Sequence, residues 1–346
     1  MEFLTDYGLF LAKTVTWVLA ALVLVAAIVS LRQRNNASAG SLSVKRLNDQ
    51  YADRREQLEK GILSAKQFRQ WRKSVQKARK VEQAQSEGGR PRTFVLRFHG
   101  DLRASQVEAL REEVSAIVDA ARPEGDEVLV CLESGGGLVT SYGLAAAQLV
   151  RLREAGLSLT VAIDKVAASG GYMMAAVAPQ IVAAPFAIVG SIGVVAEIPN
   201  IHRLLKRHDV DIELLTAGEY KRTLTVLGEN TPEGREKFQS QLNETHALFK
   251  AFLQKYRPEL DLTKLATGEY WFATQAAPLG LVDALATSDE LIARRCQERD
   301  VFEVRLIRPK PLANRLRGSV EQGAVRILSL FIDQVREKST NPLERV

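Results

Sequence analysis

Residues 159–176 read Leu159-Thr-Val-Ala-Ile163-Asp-Lys165-Val-Ala-Ala-Ser169-Gly-Gly-Tyr-Met-Met-Ala-Ala176. The first five are apolar, partly β-branched and few, which suits a buried strand. The Ala/Met-rich end suits a buried helix. One serine therefore stands where a strand turns into a helix, followed by two glycines that let other backbone approach closely. At such a turn the hydroxyl is held out of the sheet, and the first helical N–H groups face whatever the serine attacks. Taken alone, the stretch has a plainer reading, a serine that merely caps the helix.

Working outward, strand and helix signals alternate. Thr93–Phe98 and Glu127–Leu132 read as strands, with helical spacing between them over Ser105–Ala121. The second strand ends in Glu133-Ser134-Gly135-Gly136-Gly137, and Leu138–Leu152 is helical again. After Ser169 come strand-like runs at Ile181–Ala184, Ala187–Val195 and Ile212–Thr216, with a helical piece near Asn200–Lys206. This alternation predicts an α/β domain with a largely parallel, buried sheet. Sites in such sheets form at the carboxyl ends of strands. The triple glycine and Ser169 both occupy such ends, in consecutive β-α units. The glycines lack the spacing of a phosphate-binding loop, and their bare N–H groups suit a developing oxyanion. A serine nucleophile needs a base. Of four histidines (99, 202, 208 and 246) only His99 follows a strand. A lysine serves if apolar burial keeps it neutral. Lys165, before the serine, and Lys221, in Gly218-Glu-Tyr-Lys-Arg222, are the candidates, and spacing does not choose between them.

The amino terminus is of another kind. Val15–Leu31 carries no charge, Gly or Pro over 17 residues, the short end of a membrane-spanning length. Acidic Glu2 and Asp6 precede it and the run exceeds a signal core, so a retained anchor is expected rather than cleavage near Ala37-Ser38-Ala39. From Arg32 to Arg92 there are 16 Lys/Arg against 6 Asp/Glu, whereas the whole chain of 346 residues carries only +6. That surplus suits the cytoplasmic side of a span or anionic headgroups. With no interleaved aromatics it does not suggest nucleic acid. Leu47–Val81 reads as a stalk helix or helical hairpin and Gln83–Pro91 as a linker; Ser74-Val-Gln-Lys77 fits S-x-x-K, a match that chance readily supplies. Cys131 and Cys296 show neither a disulfide framework nor metal-ligand spacing.

Four motifs in order are distinctive: Ser134-Gly-Gly-Gly137, Lys165-Val-Ala-Ala-Ser-Gly-Gly-Tyr-Met-Met174, Val189-Gly-Ser-Ile-Gly-Val194 and Gly218-Glu-Tyr-Lys-Arg222. With the anchor, the basic segment and Ala276–Ala284, they make nearly the whole chain resemble the bacterial signal peptide peptidase family. The resemblance implies a ClpP/crotonase-like fold of β-α repeats and a Ser–Lys dyad. Ser169 would be the nucleophile, Lys221 the base and Ser191 the residue orienting the lysine. Gly136 or Gly137, with Gly170, would supply the oxyanion hole. Where the family often has Pro, this chain has Gly135, which implies a less rigid turn. The resemblance further implies no metal or cofactor, hydrophobic peptide substrates such as cleaved signal peptides, and a homo-oligomer with active sites at subunit interfaces. It places the protein in the bacterial inner membrane, with the catalytic domain outside, whereas the charge rule favours the cytoplasm.

The expected organisation is an anchor over 1–31, a basic stalk and linker over 32–92, the peptidase domain over 93–308 and an amphipathic helix and tail over 309–346. Within it, Thr231-Pro232-Glu233 opens a long helix to Tyr256. Trp271 and Phe272 are expected in the core, Val301–Ile307 as a late strand, and Ser319–Lys338 as a helix covering the domain's own core. The competing functions are a catalytically idle membrane scaffold and a crotonase-type acyl-CoA enzyme, which shares the fold but needs no serine nucleophile.

Overall fold

A computed structural model of the chain describes residues 40–85 and 89–308, together with Trp17. The expected membrane anchor (apart from Trp17) and the helix over Ser319–Lys338 lie outside the described residues. Among those described, no helix is long and apolar enough to cross a membrane. Ser43–Arg305 forms one compact unit, which holds the sheet and the candidate site apart from the outermost residues of its first and last strands.

It begins with β1 (Ser41–Arg46), α1 (Leu47–Ile62) and α2 (Ala65–Gln85), so the helical hairpin is present. Its first helix is docked on the globular part rather than standing off as a stalk. Leu47 is buried beside Leu291 and Ile292. Asn48 donates to the carbonyls of Cys296 and Arg299, and its Oδ1 accepts the Val301 N–H. The apolar residues of the hairpin are too loosely spaced to announce this contact.

The sheet is built on β2 (Arg92–Gly100), β3 (Glu127–Ser134) and β4 (Ser158–Ile163), which pair in parallel. Leu96, Phe98, Val130, Leu132, Val161 and Ile163 enter one core, whereas Val95, Leu129, Cys131 and Ala162 enter a second on the other face. Alternate residues of a strand face opposite ways, so a strand buried on both sides reads as an unbroken apolar run. On the larger core lie α3 (Val107–Ala120), through Leu110, Val114 and Ile117, and α4 (Val139–Glu154), through Tyr142, Ala145, Ala146 and Leu149. Their three- and four-residue spacing places those side chains on one helical face.

Beyond β4 the sheet forks. The lower part of β3 pairs with β4, but its last residue, Ser134, pairs with Ala167 of β5 (Val166–Ala168). β5 leads into α5 (Gly170–Ala175), and the main sheet continues through β6 (Gln180–Ala183). β7 (Ile188–Gly190) pairs with β5, then antiparallel with β8 (Tyr270–Phe272). Apart from short helical turns at Leu262–Leu265, Ala273–Ala276 and Ala277–Leu279, the remaining elements are α6 (His202–Arg207), α7 (Pro232–Tyr256), β9 (Ala284–Leu285), α8 (Ser288–Glu298) and β10 (Asp300–Ile307). The main sheet runs β1-β10-β2-β3-β4-β6-β9, with β1 and β9 at its edges. Thr231 caps α7 as expected, its side chain accepting the Gly234 N–H at 3.1 Å.

Three expectations need correction. The run Ala187–Val195 is strand only over Ile188–Gly190, because left-handed Gly190 and Ser191 take the chain out of extended backbone. Ile212–Thr216 forms no strand: every residue from 206 to 222 is exposed, and no neighbouring strand among the described residues supplies hydrogen bonds for this apolar run. Phe272 is not in the core either. Trp271 packs against it, but Phe272 is exposed and meets the exposed Phe186 edge-on at 5.9 Å, because adjacent residues of β8 face opposite ways.

Candidate active site

Ser169 stands at the N-cap position of α5, yet its side chain caps nothing there. Its backbone has φ 52° and ψ −120°, close to the first central residue of a type II′ turn, a place that normally takes glycine. A left-handed φ on a non-glycine residue costs on the order of 1–3 kcal/mol and gathers at functional sites. The geometry is imposed from both sides: the Ser169 N–H donates to the Gly190 carbonyl at 2.8 Å, and its carbonyl accepts the Met173 N–H at 2.9 Å. The plain capping reading therefore fails, since the hydroxyl is left free for other work.

The glycines around it are demanded by crowding. A Cβ on Gly170 would collide with the Tyr142 ring, and one on Gly171 would stand 2.5 Å from the Ser134 carbonyl oxygen. A Cβ on Gly136 would lie 2.8 Å from both the Gly170 nitrogen and the Ser169 Cβ. The triple-glycine turn and the serine turn are thus in contact, which the fork of β3 makes possible. Gly136 is left-handed at φ 88°, whereas Gly135 has open space about its Cβ position and no left-handed φ. The turn takes its shape from Gly136, so the missing proline matters little.

Ser191 lies one residue past the Ala168–Gly190 pair of β5 and β7, beside Ser169 in the sheet. It too has a left-handed φ, 49°, and its N–H donates to the Glu269 carbonyl at 2.7 Å. Gly137, Gly170, Met173, Val194 and Phe249 close over Ser169 around a cavity of about 20 Å³, room for one water. Thr245 and Phe249 of α7 reach this cavity, a role their helix-face spacing did not signal.

The lysines part company here. Lys165 pairs with Glu133 at 3.1 Å, and His99 lies 3.9 Å from the same carboxylate. Glu133 points to the opposite face of β3 from its neighbour Ser134, so both groups are held away from the serine turn. Lys165→Ala is expected to leave peptide hydrolysis within about twofold and to shift stability by less than about 1 kcal/mol, as for other exposed pairs. A steady-state assay beside a melting curve checks this. Lys221 is not among the residues lining the cavity; it is exposed, on the arm that forms no strand. The structure therefore brings together Ser169, Ser191 and the three oxyanion candidates Gly136, Gly137 and Gly170, whereas Lys221 is exposed and lines no part of the cavity. Among the described residues no cluster of His, Cys, Asp or Glu is arranged to hold a metal.

The family model for the N-terminal region of peptidase family S49 matches residues 2–149, and that for peptidase family S49 matches residues 151–301. The protein named Probable protease SohB of Haemophilus influenzae is 48% identical over 342 residues, 95% of this chain and 96% of its own. Its namesake from Buchnera aphidicola subsp. Schlechtendalia chinensis is 45% identical over 306 residues, 85% of this chain and all of its own. Among solved structures, a mutant of 1510-N, a membrane-bound stomatin-specific protease with a substrate peptide, aligns with 59% of this chain and 80% of that one. The TM-score is 0.38 and the identity 13%.

Proposed function

Because this chain belongs to peptidase family S49, we propose that it is a membrane-anchored serine endopeptidase that attacks peptide bonds with Ser169 and uses Lys221 as general base. The observation that carries the reading is the backbone of Ser169, held where glycine is normal with its hydroxyl uncapped against the glycine turn. The forked sheet supports the ClpP/crotonase-like arrangement that the family resemblance implies. Neutral Lys221 takes the Ser169 proton as Oγ attacks the carbonyl carbon. Glycine N–H groups stabilise the tetrahedral oxyanion, and the lysinium returns its proton to the leaving amine. Water then releases the acyl group by the same route. Ser191, at the end of the strand beside the nucleophile, orients the lysine amine.

Lys221 works as a base only when buried in apolar surroundings, and in a single chain it is exposed. The arm that carries it also exposes Val195 and Leu215, each at 89%, together with Ile212, Leu214 and Tyr220. These features suit a homo-oligomer in which one copy's arm covers the serine cavity of the next and brings Lys221 to it. Met173, Val194 and Phe249 at the cavity, with Leu138 and Val139 exposed at the start of α4, favour hydrophobic peptide segments as substrates. Val15–Leu31 supplies the anchor in the bacterial inner membrane, and a reporter fused after Val346 reads which side the domain occupies.

Co-expression of Ser169→Ala and Lys221→Ala chains tests the assembly. Each alone is expected to be inactive. Random pairing of the two should restore roughly a quarter of wild-type activity if serine and lysine come from different copies. A mixture that stays inactive would place the dyad within one chain and sink the shared site.

A further inference from the structure

Beneath the glycine turn lies a buried hydrogen-bond chain that the catalytic steps above do not use. Ser134 Oγ and Tyr142 Oη are 2.5 Å apart, Tyr142 Oη lies 2.8 Å from the Asp101 carbonyl oxygen, and the Gly136 N–H meets Ser134 Oγ at 3.0 Å. A carbonyl only accepts, so the single phenolic proton goes to Asp101, and the short contact must be made with the serine's proton. The chain then runs one way: Gly136 N–H to Ser134 Oγ, Ser134 O–H to Tyr142 Oη, Tyr142 O–H to the Asp101 carbonyl. Every proton is used. Such one-way chains strengthen each member and leave a large penalty if one is cut. Burial pushes the Tyr142 phenol up from its usual value, against the Ser134 hydrogen bond and with a contribution from Asp101, so the phenol keeps its proton at neutral pH.

The same groups wedge the surrounding backbone. A Cβ on Gly100 would collide with Tyr142 Oη and Ser134 Oγ, and the Tyr142 ring abuts Gly170. The loop that supplies Asp101 also holds the far side of the turn, its Leu102 carbonyl accepting the Leu138 N–H at 2.9 Å. With the Gly136 N–H committed to Ser134, the Gly137 and Gly170 N–H groups have no acceptor among the described residues.

We propose that Ser134 and Tyr142 are positioning residues of the oxyanion hole, tying back the Gly136 N–H so that Gly137 and Gly170 receive the oxyanion. This rests on the reading of Ser169 as nucleophile. Tyr142→Phe keeps the ring against Gly170 and removes only the hydroxyl, and Ser134→Ala cuts the chain one link earlier. Both are assayed as full-length detergent-purified protein beside Ser169→Ala and Asp126→Asn, the latter a destabilising change at the other end of β3. The expected result is kcat lowered about 10- to 100-fold, below the 10²–10³ of an outright lost donor, with KM within about threefold and an unshifted pH–rate profile. Labelling of Ser169 by a fluorophosphonate, whose phosphoryl oxygen takes the oxyanion position, should slow by the same factor. If Tyr142→Phe does not fold, Ser134→Ala carries the comparison. The proposal falls if kcat stays within twofold while Ser169→Ala is inactive, or if the loss vanishes once rates are normalised to the folded fraction, as is expected of Asp126→Asn. Activity surviving in Ser169→Ala would instead remove the nucleophile reading, and this proposal with it.

Discussion

Ser169→Ala is expected to lower kcat for peptide hydrolysis by about 10⁴–10⁶, the scale on which serine peptidases lose activity when the nucleophile is removed. Lys221→Ala should approach the same loss, since without a base the hydroxyl keeps its proton. Neither change should lower the melting temperature, because the Ser169 side chain makes no capping bond and Lys221 is exposed. Ser169→Gly goes further. It should be equally inactive yet more stable by about 1 kcal/mol, because φ 52° with ψ −120° suits glycine and strains serine. Kinetics beside calorimetry on the same preparations reads both effects. A Ser169→Gly protein less stable than wild type would mean that the turn carries no strain. An active Lys221→Ala protein would mean that another group takes the proton.

The second large effect concerns stability alone. Asp126 has no exposed side-chain surface and accepts from the backbone N–H and guanidinium of both Arg92 and Arg122. Burial alone would raise its carboxyl, but these hydrogen bonds outweigh burial and hold it well below the usual carboxylate range. Asp126→Ala strands two backbone donors and two guanidinium groups, at a cost of about 3–5 kcal/mol. In a domain of this size that lowers the melting temperature by on the order of 10 °C. Because the folded-state value is depressed, the contribution is whole above the unfolded carboxylate value near 4 and is lost as pH falls below it. Wild type and variant should thus differ most at neutral pH and converge in acid. Asp126 precedes β3, roughly 25 Å of strand from Ser134, so kcat per folded molecule should not change. Melting curves from pH 7 down to 2 check the window, and a gap that does not begin to narrow below about pH 4 would assign the stability to something other than the ionised carboxylate.

Much of this was legible in the chain because it depends on short-range rules. Strands buried on both faces read as unbroken apolar runs, so β2, β3 and β4 were visible with the glycine and serine turns at their ends. Thr231 announced α7 because a cap and a proline act within one turn. Ser169 stood out because it lies where a strand turns into a helix before two glycines, and Ser191 only through the family resemblance. The misread stretch, Ile212–Thr216, has strand composition, but a strand also needs partners, and none lies beside it among the described residues.

The sequence by itself determined the α/β class, the order of most elements and which serine stands where a strand turns into a helix, since periodicity, capping and glycine placement are local properties. Only the tertiary structure decided the rest. The fork of β3 presses two glycine turns together, Glu133 takes Lys165 to the far face, Tyr142 reaches under the oxyanion glycines, and Lys221 is left on an exposed arm. Each depends on contacts between residues distant in the chain, where direction and distance are set by packing and have no counterpart in local pattern.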